Sequence, residues 1–503
     1  MSQACSSIKT VESNGSLDYL HQQTAQWRDV PEQPITYASK EETIFLVGGL
    51  TILQDKLIQS ALQSIGENFI ALPNPDFESF QKGKAFGNRG QCNPTYFTVG
   101  NLVKYLQNLR DNEGVSTEEI VSRYVYMTAG GCGPCRFGMY ITEYKKALRD
   151  AGFDGVRIRS FEHDKGIFQE EGEEEDIISF TPKFLFILVK AILLGDLVNI
   201  VGYRMRPYEV ERGSTDIALE QCRVILSDAF REHRNITLSL TRCRKVLEAV
   251  KLDRLQSKPK VMVMGEFWAA MTEGDGNYNL YRFLEAEGAE CIPQPVLNRL
   301  MLSIWEAEHD LRLMEHLPEQ GRKKIDFSHA KSRLMIRLAK GAVKGYFGLY
   351  ARAIGLKGYE IPNMEKLATL AEGYYTLESD GGEGHLEVAH LIESVKDKLA
   401  HLVISVKPFG CMPSSAVSDG VQSLVTSHYP EANFLSIETS GEGAANFYSR
   451  VQMALFKAKQ SAKEEYEALK KPIVVSDQVH HYSYIPKSDK IGTAAKIIDD
   501  LTN

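Results

Sequence analysis

The sequence predicts an α/β protein made of two or more Rossmann-like parallel-sheet units with helical insertions, and three observations carry that prediction. Apolar runs of strand length alternate with segments of helical spacing, first as ETIFLVGGL, LIQSALQSIG and NFIALP, an order that favours parallel pairing. The same order returns at SRYVYMTAGG, FGMYITEYKKALRDAG and GVRIRSF, at KPKVMVMGEFW, NLYRFLEAEG and ECIPQPV, and at AHLVISVKPFGCMPSS, SDGVQSLVTSHY and NFLSIET. Composition agrees with it: 503 residues, 43% of them hydrophobic and 25% charged, can bury a sizeable core and exclude global disorder. Length alone suggests about three compact units.

Taken in order, residues 1–41 are polar without sustained periodicity and are expected to form a flexible tail. Residues 42–170 form the N-terminal Rossmann-like domain. The run EEGEEED at 170–176 reads as a solvated loop, because blocks of like charge repel. It leads into a helical segment, 171–257. Within that segment the apolar stretch Phe180–Val201 is interrupted by Lys183, Lys190 and Asp196, which marks a buried helix rather than a membrane span. Residues 258–458 form the second Rossmann-like domain, with a helical insertion at about 300–400. Residues 459–503 are a charged helix and C-terminal tail.

The formal charge of -8 supplies no basic field for a phosphate backbone, so no nucleic-acid partner is expected. The N-terminus has neither a basic nor an apolar leader region, which predicts a cytoplasmic protein without a membrane partner. Eight cysteines are too few for a disulfide scaffold.

The most informative segment is AGGCGPCRFGMY, Ala129 to Tyr140, where Cys132 and Cys135 lie between a predicted strand and a predicted helix. Two thiols three positions apart can hold a metal centre or close a disulfide. Glycines allow the sharp turn, and a helix N-terminus favours thiolate charge. Cys92, in GNRGQCNPTYFTVG, and Cys411, in VKPFGCMPSS, stand in similar loops. Ligands of open α/β sheets gather outside the carboxyl ends of the strands, so these loops can converge and Cys92, Cys132, Cys135 and Cys411 can supply four ligands. A [4Fe-4S] cluster fits better than zinc, whose tight structural sites show two close ligand pairs. Cys5, Cys222, Cys243 and Cys291 read as ordinary residues, small and apolar where they fall in helices or strands.

The stretches GNRGQCNPTYFTVGNL, TAGGCGPCRFGMYITEYKKALRDAGFDG, RPYEVERGSTD, GEFWAAMTEGDGNYNLYRFLEAEGAE and KPFGCMPSSAVSDGVQS resemble blocks of the 2-hydroxyacyl-CoA dehydratase superfamily, in its activase-related branch, over roughly residues 42 to 458. The resemblance implies Rossmann-like domains and an oxygen-sensitive low-potential cluster on Cys92, Cys132, Cys135 and Cys411. It also implies an electron delivered by an ATP-hydrolysing activase to a small-molecule substrate such as a CoA thioester. This chain has no nucleotide-binding fingerprint, since the GST at 213–215 lacks the lead-in of a phosphate loop, so the activase is expected to be a separate protein. Four cysteines would close the cluster, whereas dehydratase subunits leave one iron open. A dimer is possible.

Further candidates are Glu266, Asp275 and Asn277 in GEFWAAMTEGDGNYN for substrate contact, and Glu383 and His385 in SDGGEGHLEVAH for proton transfer. Helix capping explains Asp275 and Asn277 equally simply, and a glycine-rich turn leading into a helix is the simpler reading of Glu383 and His385. SGEGAANFYSR has glycines to approach a phosphate but lacks a Walker lysine, and His480 and His481 are adjacent and point apart. Two other readings stay open. One is a thioredoxin-like dithiol using the CGPC pair, although no Trp precedes its first cysteine. The other is a non-catalytic scaffold carrying the same cluster.

Overall fold

Eight parallel strands build two four-stranded sheets in a computed structural model of the chain. The structure describes residues 35–468 except 131–134, 162–177, 179, 255, 317–326, 357–358, 360 and 379–381. The predicted tail up to residue 34, Cys132, the acidic run 170–176 and everything after 468, His480 and His481 included, therefore lie outside the described residues. Both sheets belong to one compact unit, Tyr37–Asn503.

The first sheet holds β1 (Ile44–Val47), β2 (Phe69–Ala71), β3 (Tyr124–Ala129) and β4 (Arg157–Phe161) in the order β2-β1-β3-β4. Between them run α1 (Ile52–Gln63), α2 (Phe77–Phe86), α3 (Asn93–Asp111), α4 (Thr117–Arg123) and α5 (Tyr140–Asp150). Helix α1 starts at a capping box in which the Thr51 side chain meets the Gln54 backbone and the Gln54 side chain answers, two orphan donors satisfied together. Helices α2 and α3 touch so closely that a Cβ on Gly100 would lie 1.7 Å from the Ser79 carbonyl oxygen. Only glycine fits there. That contact fixes the N-terminus of α3, where Cys92 stands.

A helical layer follows: α6 (Pro182–Met205), α7 (Ser214–Arg231) and α8 (Ile236–Glu248). Helix α6 is long and apolar enough to cross a membrane, yet little more than half of its most apolar stretch is buried inside the protein. Its carboxyl half is core: Leu193, Leu194, Leu197, Val198 and Val201 are buried, packed with α1 and β1. There Asp196 accepts hydrogen bonds from Gln54 Nε2 (2.8 Å) and from the amides of Val296 (3.0 Å) and Leu297 (2.8 Å). A buried carboxyl group so clamped ties α1, α6 and the start of α11 together.

The second sheet holds β5 (Lys260–Gly265), β6 (Glu290–Ile292), β7 (Leu402–Pro408) and β8 (Phe434–Thr439), in the order β6-β5-β7-β8. Strands β5 and β7 are buried along their whole length, which is why KVMVMG and LVISVKP read as near-continuous apolar runs. The turn out of β5 needs Gly265: its φ is +125° and a Cβ would sit 2.1 Å from the Val406 carbonyl oxygen. Around this sheet lie α9 (Phe267–Met271), α10 (Leu280–Ala286), α11 (Val296–His316), α12 (Phe327–Ile354), α13 (Met364–Ala371), α14 (Gly384–Lys396), α15 (Met412–Ala416), α16 (Gln422–His428) and α17 (Ala444–Ala468). The expected insertion at 300–400 is thus α11 to α14, and one hydrophobic core runs from the first sheet through α6–α8 into it. A smaller aromatic cluster, Phe80, Tyr96, Phe97 and Trp268, joins α2 and α3 to α9.

Candidate metal and substrate centre

Both sheets reverse their winding between their first and third strands in sequence, and ligands of such sheets collect outside the carboxyl ends at that point. The loops that follow β3, β5 and β7 carry Cys135, Glu266 and Cys411. Each of the three described candidate cysteines occupies an N-cap position: Cys92 before α3, Cys135 before the short turn Arg136–Met139, and Cys411 before α15. None uses its sulfur for the cap, and Pro94 and Pro413 follow just inside the helices of Cys92 and Cys411.

The loops of Cys92 and Cys411 are stitched together. The Asn93 amide donates to the Phe409 carbonyl oxygen at 3.0 Å, and a Cβ on Gly410 would come within 3.3 Å of the Cys92 Cα. Cys92 Sγ contacts Thr95 Oγ1 (3.1 Å) and the Tyr140 hydroxyl (3.0 Å). Cys135 lies within the electrostatic reach of Cys92, and the carboxyl of Glu266 acts on Cys92, Cys135 and Cys411 alike. The structure therefore brings three of the four candidate cysteines to one crevice from positions as far apart as 92 and 411. Cys132 lies outside the described residues. Among the described residues, no three His, Cys, Asp or Glu side chains are placed to hold one metal ion. A cubane needs its cysteine sulfurs about 7 Å apart, a wider arrangement than the ligands of a single zinc ion.

Helix N-termini were expected to favour thiolates here; burial overrides them. It pushes the Cys135 thiol up to about 11 and Cys411 up to about 12, with the negative charge of Glu266 adding to both. Cys92 is raised by the same two causes. Without a cation these sulfurs stay protonated at neutral pH, so Cys135 is no activated nucleophile. A polynuclear metal centre would supply the positive charge that such a donor set lacks, and three thiols are donors of the type it takes.

Glu266 itself is half-buried, N-caps α9 and accepts from the Ala269 amide at 2.8 Å. Burial raises its carboxyl. Asp275 and Asn277 do not join it. Asp275 accepts from the Phe77 amide (2.9 Å) and so ties the loop to the start of α2, while Asn277 Nδ2 donates to the carbonyls of Ala269 and Thr272 and holds the loop together. At the start of α14, Glu383 lies within electrostatic reach of Glu266 and Arg299, and His385 within that of Arg299. Burial, with Glu266, Glu387 and Glu306 adding to it against Arg299, pushes Glu383 up to about 8. Burial, with His390, Arg299 and His309, pushes His385 down to about 4. The His385 ring lies against Trp305, on whose indole His309 also stacks.

Sequence reasoning missed Glu387, Arg299 and Asn93. Glu387 is buried, accepts from Ser405 (3.1 Å) and Ser414 (2.9 Å), and is raised by burial to about 7. Arg299, paired with Glu306 at 3.5 Å, acts on Cys135, Glu383 and His385 together. Asn93 follows Cys92 directly, and both polar atoms of its buried side chain lack a hydrogen-bond partner, as do His385 Nε2 and His309 Nε2. Orphaned buried groups cost about 1–3 kcal/mol each, which a bound ligand would offset. The remaining phosphate-loop candidates are filled by the protein itself. Glu209 accepts from the amides of Gly213 and Thr215, and the Ser440 hydroxyl donates to the Glu442 carbonyl while Gly441 packs on Phe80. No protein-family model matches the chain, and no curated protein matches it.

Proposed function

We propose that the chain is an iron-sulfur protein of the 2-hydroxyacyl-CoA dehydratase type, holding a [4Fe-4S] cluster on Cys92, Cys132, Cys135 and Cys411. It takes a low-potential electron from a separate ATP-hydrolysing activase and passes it to a CoA-thioester-like or other hard-to-reduce substrate in the cytoplasm. One observation supports this above the rest: Cys92, Cys135 and Cys411 meet at the winding reversals of two parallel sheets, beside buried acids and unpartnered polar groups. The bound cluster would supply single electrons at low potential.

The residues of the chain do the rest. Arg299 and the His385 and His309 Nε2 atoms orient a polar substrate. The burial of Glu383, Glu387 and Cys411 excludes water that would otherwise quench a reduced substrate. A hydroxyl beside a thioester leaves poorly from the neutral molecule and readily once the neighbouring carbonyl holds an extra electron. Glu383, protonated at neutral pH, is placed to give the departing hydroxyl its proton as a general acid. Neutral His385 can receive the proton lost from the adjacent carbon, and the extra electron would then pass back to the protein's redox centre, leaving the unsaturated thioester and water.

The test is anaerobic purification followed by iron and acid-labile sulfide analysis. Near four of each per chain is expected, falling at least about threefold in C411S and C92S. Paramagnetic resonance on the protein mixed with an activase, ATP and a strong reductant should then show an ATP-dependent change of cluster oxidation state. Iron absent from the wild type, with a titratable dithiol in its place, would overturn the proposal in favour of dithiol chemistry. Iron present without any ATP-dependent change would leave a scaffold.

A further inference from the structure

The 28-residue helix α12 has three faces. Successive residues turn by about 100°, so Val343, Phe347, Tyr350 and Ile354 line one side, and that side joins the core. A basic stripe, Arg333, Arg337, Lys340 and Lys344, runs along the next. The third side carries Leu334, Leu338 and Leu349, with Met335 and Tyr346 along its edge, and all five side chains are exposed, the first two by 58% each. Ala342 and Gly345 fall between them on the same stripe. With Lys331 and Arg352 the helix has six basic residues and no acidic one, in a chain whose net charge is -8. Lys340 pairs with Glu308 of α11 at 3.3 Å.

This apolar face continues onto a second helix. Tyr346 meets Phe186 of α6 edge to face at 5.4 Å, and Phe186 is itself exposed. Around it Leu185, Ile187, Leu188 and Val189 are only partly buried, which is why the most apolar stretch of α6 is so incompletely covered. Lys183 is exposed at the end of that stretch. Contiguous exposed apolar surface of this kind marks an interaction site.

We infer that the outer face of α12, with the amino-terminal half of α6 beside it, docks the protein peripherally on an anionic lipid surface. Leucine, methionine and aromatic side chains on one face, with lysine and arginine flanking it and no acid, are the composition of a helix that lies in the headgroup boundary. The basic stripe meets anionic headgroups while the leucines enter the acyl edge. Between Leu334 and Leu349 the apolar stripe carries one polar group among the described residues, the Tyr346 hydroxyl, with Lys331 and Arg352 at its two ends, an arrangement that suits an anionic lipid surface better than a partner read through directional contacts across the stripe. The inference revises the expectation of no membrane partner; attachment at the surface leaves the protein on the cytoplasmic side. It stands on different residues from the proposed cluster chemistry and needs no metal.

The experiment is flotation of the full-length protein with vesicles of phosphatidylcholine alone and with vesicles that also contain phosphatidylglycerol. Binding is expected only to the second kind, weakening as salt is raised. L334E/L338E, and separately R337E/K344E, should each lower the bound fraction at least about tenfold, with the circular dichroism spectrum and melting temperature unchanged because these positions are exposed or half-exposed. No binding to the anionic vesicles would overturn the inference. So would binding unaffected by both variants. A dimer by light scattering that L334E/L338E dissolves, without vesicle binding, would assign the face to a second copy of the chain instead.

Discussion

The two sheets share a strand order and differ in what stands at their carboxyl ends. In the first, the turn after β1 is Gly48 and Gly49, and Asp55 fills it by accepting from the amides of Gly49 and Leu50. In the second, the equivalent turn is Gly265 and Glu266, and the carboxyl belongs to the turn itself, where it caps α9 beside the three thiols. The first sheet's loops contribute Cys92 and Cys135; the second contributes Glu266, Glu387 and the single thiol of Cys411. One topology used twice thus yields two unlike halves, sulfur on one side and mostly oxygen on the other, and neither half is a site without its partner.

The largest expected effect tests how alike the two turns are. G265A places a Cβ against the Val406 backbone at a φ of +125° and should cost more than about 3 kcal/mol or abolish folding. G49A, at φ +105° with nothing within 4 Å, should cost about 1 kcal/mol. Chemical denaturation of the two variants decides, and equal losses would break the distinction between a crowded turn and an open one.

A second test severs the link between the halves. D196A removes a carboxylate that receives hydrogen bonds from α1 and from the start of α11. It should destabilise by about 2–4 kcal/mol, measured as a lower midpoint in urea. If unfolding then showed two separated transitions, the sheets would be cooperating mainly through this residue.

The third test is pH. Burial holds Glu383 up to about 8 and Asp55, Asp196 and Glu387 up to about 7, against ordinary values of 4.5 for Glu and 3.8 for Asp. The folded protein keeps these groups protonated where the unfolded chain has released its protons, so stability falls as pH rises from about 5 to 8. His385 opposes this only between about 4 and 6.5, where its lowered value makes folding favour the higher pH. Above 6.5 the decline is expected unopposed by it. E383Q should flatten it most, D55N next and E387Q least, in the order of how far burial lifts each group, in melts of metal-free protein.

The smallest effect is expected at the surface. Lys84 and Glu442 join the first half to the second at 3.4 Å with side chains 46% and 69% exposed, and K84A should change stability by no more than about 0.5 kcal/mol. A larger loss would show that rim contacts contribute to holding the two sheets together.

Much of the fold was legible in the sequence because buried parallel strands need unbroken apolar runs, and VYM of β3, VMVM of β5 and LVISV of β7 show them. The α6 stretch was legible only in its second half: the sequence read it as buried throughout, whereas Phe186 is exposed, since hydropathy reports affinity for an apolar setting and not whether the protein supplies one. Cys135, Cys411 and Glu266 stood out because they follow strands, and Cys92 because its loop is punctuated by glycine and proline. Glu387 and Arg299 did not, because each sits inside a helix where a charge ordinarily faces water, and only the packing of α14 against β7 and of α11 against α6 turns them inward. Asp275 and Asn277 stood out for the same positional reason as Glu266; Asn277 fastens its own loop and Asp275 ties that loop to the start of α2.

The bond between the Asn93 amide and the Phe409 carbonyl also sets a timetable. During synthesis the ribosome finishes the first sheet long before β7 exists, so Cys92 and Cys135 wait through roughly 250 further residues, well over ten seconds at ordinary elongation rates, without the loop that completes their surroundings. The surroundings of Cys92 are therefore complete only after translation has passed residue 411, and the core that the first sheet shares with the insertion at 300–400 closes equally late.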